Sequence, residues 1–105
     1  MADDQFSSTV ANDGTATITF TPTKNLPWLL QQVSIEMVDA PSGAVAELRK
    51  NGNLITKMIA SDVADSDPPV PVAPGDRMQV LWFGGTPGGV VSAYIIYDTV
   101  GWERV

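Results

Sequence analysis

The fold of this chain is decided by the stretch Ala46-Glu47-Leu48-Arg49-Lys50-Asn51-Gly52-Asn53-Leu54-Ile55-Thr56-Lys57. Asn-Gly is the strongest short-range signal for a β-hairpin, because both central residues of a type I′ turn adopt a positive φ angle. Apolar and charged side chains alternate in the residues before the turn, as in a half-buried strand. The stretch therefore predicts two antiparallel strands joined at Asn51-Gly52.

The residues before this hairpin carry two further strand patterns. From Thr15 to Thr23, threonines alternate with apolar residues, and the turn signal Asn12-Asp13-Gly14 precedes them. This arrangement predicts a strand with Gln5 to Val10 as its hairpin partner.

Trp28 to Val38 predicts the next strand, since Val33, Ser34 and Ile35 favour strand over helix. A helix over Leu29 to Met37 is the alternative. The apolar spacing breaks near Gln31-Gln32, which indicates a β-bulge or bend there.

After the hairpin, the acidic segment Ala60 to Pro69 is predicted to be a loop, followed by Val70 to Val72 as a short, proline-broken edge strand. Arg77 to Phe83 and Val90 to Asp98 are strand patterns. Gly84 to Gly89 is predicted to join them as a flexible hairpin connection.

About eight short strands with turn signals roughly every ten residues are typical of a β-sandwich or jelly roll. We therefore expect one all-β, antiparallel, jelly-roll-like sandwich domain over residues 1–98. A polar N-terminal arm at residues 1–8 and a C-terminal tail at residues 99–105 complete the expected organisation.

Composition excludes several classes of function. The 105 residues carry a net charge of −6, which argues against binding to the nucleic-acid backbone. There is no apolar run of the length that a membrane span requires, and the polar start is unlike a signal peptide. We expect no membrane association, and synthesis in a cytoplasm.

The sequence offers no catalytic apparatus. It contains no histidine and no cysteine, so neither a serine nor a threonine has the usual activating base. The carboxylates of Asp62 to Asp67 could in principle chelate calcium, but the segment lacks the glycine of a calcium loop, and a solvated loop is the expected alternative. We predict a protein that is not an enzyme and has no metal or cofactor.

Apolar and aromatic residues on the outer faces of strands, together with aromatic residues near the ends of elements, are the better candidates for function, because tyrosine and tryptophan are enriched where one surface docks on another. The candidate interface residues are Phe6, Trp28, Leu81, Phe83, Tyr94, Ile96 and Trp102. Two alternatives stay open: Trp102 could instead fold back and cap its own sandwich, and exposed rings could form a carbohydrate-stacking platform.

Four segments carry a resemblance to a known family: Asn25 to Met37, Ala46 to Gly52, Asp67 to Val70 and Pro74-Gly75-Asp76. They resemble small structural, head decoration-like proteins of tailed phages that infect actinobacteria. The resemblance implies a virion protein that docks on the outer surface of the phage head, with the major capsid protein lattice as partner and a homotrimer as the preferred oligomer. A tail- or fibre-associated structural protein is the alternative, and no functional residue carries over.

Overall fold

The computed structural model describes residues 2–22 and 26–99, with residues 66–68 described by their backbone alone. The described residues form eight strands: β1 Ala2–Thr9, β2 Ala16–Phe20, β3 Trp28–Met37, β4 Val45–Lys50, β5 Asn53–Ile59, β6 Asp62–Val72, β7 Met78–Phe83 and β8 Val90–Thr99. All pairings are antiparallel, in sheet A with the order β1-β8-β3-β6 and sheet B with the order β2-β7-β4-β5. The predicted all-β sandwich is confirmed, and the helical alternative over Leu29 to Met37 is wrong.

The core lies between the two sheets and is built by the inward side chains of each strand. Trp82 is its largest fully buried side chain, and its indole nitrogen donates a hydrogen bond of 3.0 Å to the carbonyl of Ala60. Leu30 and Ile95 from sheet A and Leu48 from sheet B are also fully buried. The alternation of Met78, Val80 and Trp82 in the sequence predicts that these three side chains face the core, and the structure confirms this.

The Asn51-Gly52 hairpin is confirmed. Asn51 and Gly52 have φ angles of 52° and 86°, the two positive values that a type I′ turn requires. The Asn51 amide also donates to Asp76 and accepts from the backbone nitrogen of Arg77. The tip of the hairpin is therefore held against the turn that precedes β7.

The bulge predicted near Gln31-Gln32 is also confirmed. The register of β3 shifts between Leu30 and Gln32 against both of its neighbours, β6 and β8. The extra residue restores the alternation, so Leu30 and Val33 both face the core.

Two predicted hairpins are wrong, because the chain crosses between the sheets at these points. β1 pairs with β8 in sheet A, whereas β2 pairs with β7 in sheet B, so Gln5 to Val10 is not the partner of the next strand. Gly84 to Gly89 likewise connects β7 of sheet B to β8 of sheet A. The two crossings are hydrogen-bonded to each other, with the nitrogen of Gly85 donating to the carbonyl of Gly14. The same residue types form the turn of a hairpin and the turn of a crossing between sheets. The turn signals in the sequence therefore did not distinguish the two connections.

Two predicted irregular segments are strands. Most of Ala60 to Pro69 belongs to β6, which the structure confirms as an edge strand of sheet A. Residues 2–8, expected as an arm, lie in β1, because their backbone pairs with β8. Thr99 closes β8, and the remaining residues of the expected tail lie outside the described residues.

Candidate functional site

The candidate interface residues do not form one patch. Leu81 and Phe83 point outward from sheet B, and Tyr94 and Ile96 point outward from sheet A. Phe6 is half-buried against the core, and Trp28 is buried within it. Trp102 lies outside the described residues.

The two inward candidates belong to a stack of four aromatic rings. Successive ring centroids lie 5.5 Å apart for Phe6 and Phe20, 6.4 Å for Phe20 and Trp28, and 4.0 Å for Trp28 and Tyr97. The rings stack face to face, and this stacking stabilises this end of the core. Trp28 faces inward while Tyr94 faces outward, so these two rings do not share a stacking platform.

A groove of about 470 Å³ borders this stack. It is lined by Asp4 and Phe6 of β1, Thr19 and Phe20 of β2, Thr21, and Trp28 of β3.

The polar groups of the groove already have protein partners. The Asp4 carboxylate accepts a 3.0 Å hydrogen bond from the Tyr97 hydroxyl, and the Thr21 hydroxyl donates to the carbonyl of Asp76 at 2.6 Å. Burial and the hydrogen bond to Asp4 raise the pKa of Tyr97 above its ordinary value. The groove therefore offers mainly apolar ring surface, and its polar rim serves the fold.

The outer face of sheet B carries a contiguous apolar row. Val45 of β4 pairs with Phe83 of β7 on one side and with Ile59 of β5 on the other. The three side chains are 45%, 37% and 64% exposed, respectively. Directly opposed residues in antiparallel strands touch, so these three side chains form one surface.

Two more exposed apolar residues, Leu54 and Ile55, lie on β5. We call the outward side of β2, β7, β4 and β5 the sheet B face. Among the residues that the structure describes, nine large hydrophobic residues are exposed, and five of them belong to the strands of this face: Val45, Leu54, Ile55, Ile59 and Phe83.

The charges on the sheet B face are few. Arg49 contacts the Glu47 carboxylate at 2.8 Å and also donates to the carbonyl of Gly52. Lys57, opposite Glu47 in the register, is exposed. The Glu47–Arg49 pair is neutral, so Lys57 gives this face a net charge of +1.

The outward side of sheet A, which we call the sheet A face, is acidic. Its outward positions include Asp3, Glu36, Asp65 and Asp98, and no lysine or arginine occurs within the four strands of this sheet. Its exposed apolar residues are separated by polar ones: Val63 and Tyr94 are both opposite Ser34.

Glutamine and tyrosine side chains hydrogen-bond to these carboxylates. Gln31 donates to Asp98, Gln32 donates to Asp65, and the Tyr94 hydroxyl donates to Asp3. The last bond raises the pKa of Tyr94 above its ordinary value.

The acidic segment considered for calcium is not a loop. Asp62 lies in β6 and accepts hydrogen bonds from the backbone nitrogens of Ile59 and Val63. Asp65 lies on the outer face of the same strand. Among the side chains that the structure describes, those of residues 2–22, 26–65 and 69–99, no cluster of three or more acidic groups is placed to hold a metal ion.

Comparisons with known proteins add little. No protein-family model and no curated protein matches this chain. One solved structure that is similar is the dimeric latent PorU of Porphyromonas gingivalis, at 11% identity and a TM-score of 0.38. The match covers 95% of this chain and 13% of the PorU chain.

Within the described part of the chain there is no helix that is long and apolar enough to cross a bilayer.

Proposed function

We propose that this chain is a non-enzymatic structural protein of a phage virion, and that it decorates the outer surface of the head by docking on the major capsid protein lattice. The observation that carries the proposal is the apolar row of Phe83, Val45 and Ile59 on the outer face of the sandwich. Exposed apolar patches of this kind mark surfaces where proteins associate. The resemblance of four sequence segments to head decoration-like proteins indicates that the partner is the major capsid protein lattice.

The positions of Glu36, Glu47 and Asp76 argue against glycoside hydrolysis by a pair of these carboxylates. Glu36 lies on the sheet A face, Glu47 on the sheet B face, and Asp76 in the turn before β7. General acid and base chemistry on a glycoside needs two carboxyl groups on either side of one bond. These three carboxylates lie in separate parts of the molecule, and Glu47 is already paired with Arg49.

The first experiment is quantitative mass spectrometry and cryo-electron microscopy of purified virions of the phage that encodes this chain. We expect mass spectrometry to find hundreds of copies per particle. We expect microscopy to show density at regular positions on the shell, with a trimer as the repeating unit. Virions without the protein would refute the proposal. A few copies confined to the tail would instead favour a tail- or fibre-associated role.

A second candidate function is a carbohydrate-binding module, for which the supporting observation is the apolar ring surface that Phe6 presents in the groove. A glycan array distinguishes it from decoration. Binding that is lost in a Phe6→Ala variant would support the module, whereas decoration predicts no glycan signal.

A further inference from the structure

The two sheets of the sandwich differ in the charged residues that their strands contain. The four strands of sheet A contain seven acidic residues and no basic one: Asp3, Asp4, Glu36, Asp62, Asp65, Asp67 and Asp98. The strands of sheet B contain one acidic residue, Glu47, and three basic ones, Arg49, Lys50 and Lys57. The charge is therefore segregated between the sheets.

We propose that the sheet B face is the docking face, and that it fits a protein surface on which carboxylates surround an apolar patch. This inference rests on the proposed function, in which that surface is the outside of the capsid shell. The sheet A face then points to the solvent.

Electrostatic complementarity selects the partner. Lys57 stands on the face that carries the apolar row, while the Glu47 charge next to it is already neutralised by Arg49 at 2.8 Å. A carboxylate of the partner therefore meets a cation beside the apolar contact, without an opposing anion. Such pairing favours encounter and fixes orientation.

The sheet A face would be repelled by the same partner. Like charges brought together at an interface oppose association. Its carboxylates on Asp3, Asp65 and Asp98 already accept hydrogen bonds from side chains of their own sheet, so docking would also desolvate groups that gain no new partner.

The free edges agree with this orientation. The β6 edge of sheet A contains Pro68, Pro69 and Pro71, and proline removes the backbone donors that a further strand would need. The β5 edge of sheet B has no proline and a single charged residue, Lys57. The β5 edge, which adjoins the apolar row, is therefore open to a partner. The β1 edge of sheet A also lacks proline, but it carries the carboxylates of Asp3 and Asp4.

Single-thiol labelling tests the docking face, because the chain has no cysteine of its own. The matched variants are Val45→Cys on the sheet B face and Val63→Cys on the sheet A face, at positions that are 45% and 53% exposed. Each variant is labelled with a maleimide, free in solution and bound to particles. We expect the thiol at position 45 to lose its labelling on particles, and the thiol at position 63 to label equally in both states.

The reverse pattern, or protection of both thiols, would overturn the inference while leaving decoration intact. Protection of the thiol at position 45 in the free protein would assign the face to a second copy of the chain, and would also overturn it. If the chain does not co-sediment with particles at all, the proposed function fails before labelling begins, and the inference fails with it.

A second pair of variants measures the affinity for particles. Phe83 and Tyr94 are 37% and 38% exposed on opposite faces, so Phe83→Ser and Tyr94→Ser remove similar exposed aromatic surface. We expect Phe83→Ser to lose most particle binding, and Tyr94→Ser to bind as the unsubstituted chain does. Urea unfolding of both variants checks that they fold, and equal binding by the two folded variants would refute the assignment.

Discussion

Replacement of Gly52 by valine tests the physical basis of the hairpin. Gly52 has a φ angle of 86°, and no atom lies within 4 Å of the position where a Cβ would be placed. The cost of a side chain there is therefore backbone strain alone, without a clash. An L-residue in the left-handed region costs about 1–2 kcal/mol, and a strained β-branched residue extends this to about 3 kcal/mol.

We therefore expect Gly52→Val to lower the free energy of unfolding by about 1–3 kcal/mol. In a domain of this size, each kcal/mol corresponds to a fall in Tm of roughly 4–8 °C. Urea unfolding followed by tryptophan fluorescence is a suitable assay, because Trp28 and Trp82 are buried and change environment when the sandwich opens.

Gly52→Asn is the matched control, since asparagine tolerates a positive φ better than other side chains. It should retain most of the stability that valine loses. If Gly52→Val unfolds at the same urea concentration as the unsubstituted chain, or if asparagine is as harmful as valine, the argument from φ is refuted.

Three further predictions concern stability. Leu48 is fully buried, so Leu48→Ala should lower the free energy of unfolding by about 2–5 kcal/mol in a urea titration. Leu54 is 44% exposed on the next strand, so Leu54→Ala should lower it far less. Equal losses in the two variants would contradict the assigned burial. Trp82→Phe leaves the carbonyl of Ala60 without its hydrogen-bond donor and should lower the free energy of unfolding by about 1–3 kcal/mol, measured by thermal unfolding. An unchanged Tm would show that this hydrogen bond does not stabilise the fold. Hydrogen bonds from Asn51 and from the backbone of Ala73 lower the pKa of Asp76 below its ordinary value of 3.8. The ionised Asp76 therefore contributes its full stabilisation above pH 3.8, and this stabilisation is lost as the pH falls through the lower pKa of the folded state. Asp76→Asn should flatten this part of the acid unfolding profile, and an identical profile would contradict the prediction.

Local signals in the sequence were sufficient for the features that depend on neighbouring residues. The positive φ angles of Asn51-Gly52, the bulge after Leu30 and the inward position of Trp82 each follow from spacing or from the conformational preference of one residue type. These features depend on chemistry within a few positions, which a single sequence displays directly.

The assignment of strands to sheets was not accessible in the same way. Alternation shows that one side of a strand faces a core, but both sheets contribute to the same core, so the pattern is identical for either sheet. The crossings at Gly14 and Gly85 carry ordinary turn residues, and the pairing of their flanking strands in different sheets distinguishes them from hairpins.

The acidic strand β6 was missed for another reason. At an edge, its prolines and outward carboxylates do not prevent strand formation, although they resemble a loop in composition. For the candidate site, the outward positions of Phe83 and Tyr94 followed from alternation, but the pairing of Val45 with Phe83 and Ile59 required the register.

The position of β8 in sheet A has a consequence for folding during synthesis. β8 lies between β1 and β3, and Ala2 pairs with Tyr97 across almost the whole described chain. At about 5–20 residues per second, roughly 4–16 s separate the synthesis of Thr9 from that of Val90. During this interval the first strand has no partner, whereas all four strands of sheet B, the last of which ends at Phe83, are synthesised before Val90. The polar sequence Ala2-Asp3-Asp4-Gln5-Phe6-Ser7-Ser8-Thr9 suits a strand that must remain solvated until the last strand arrives to complete its sheet.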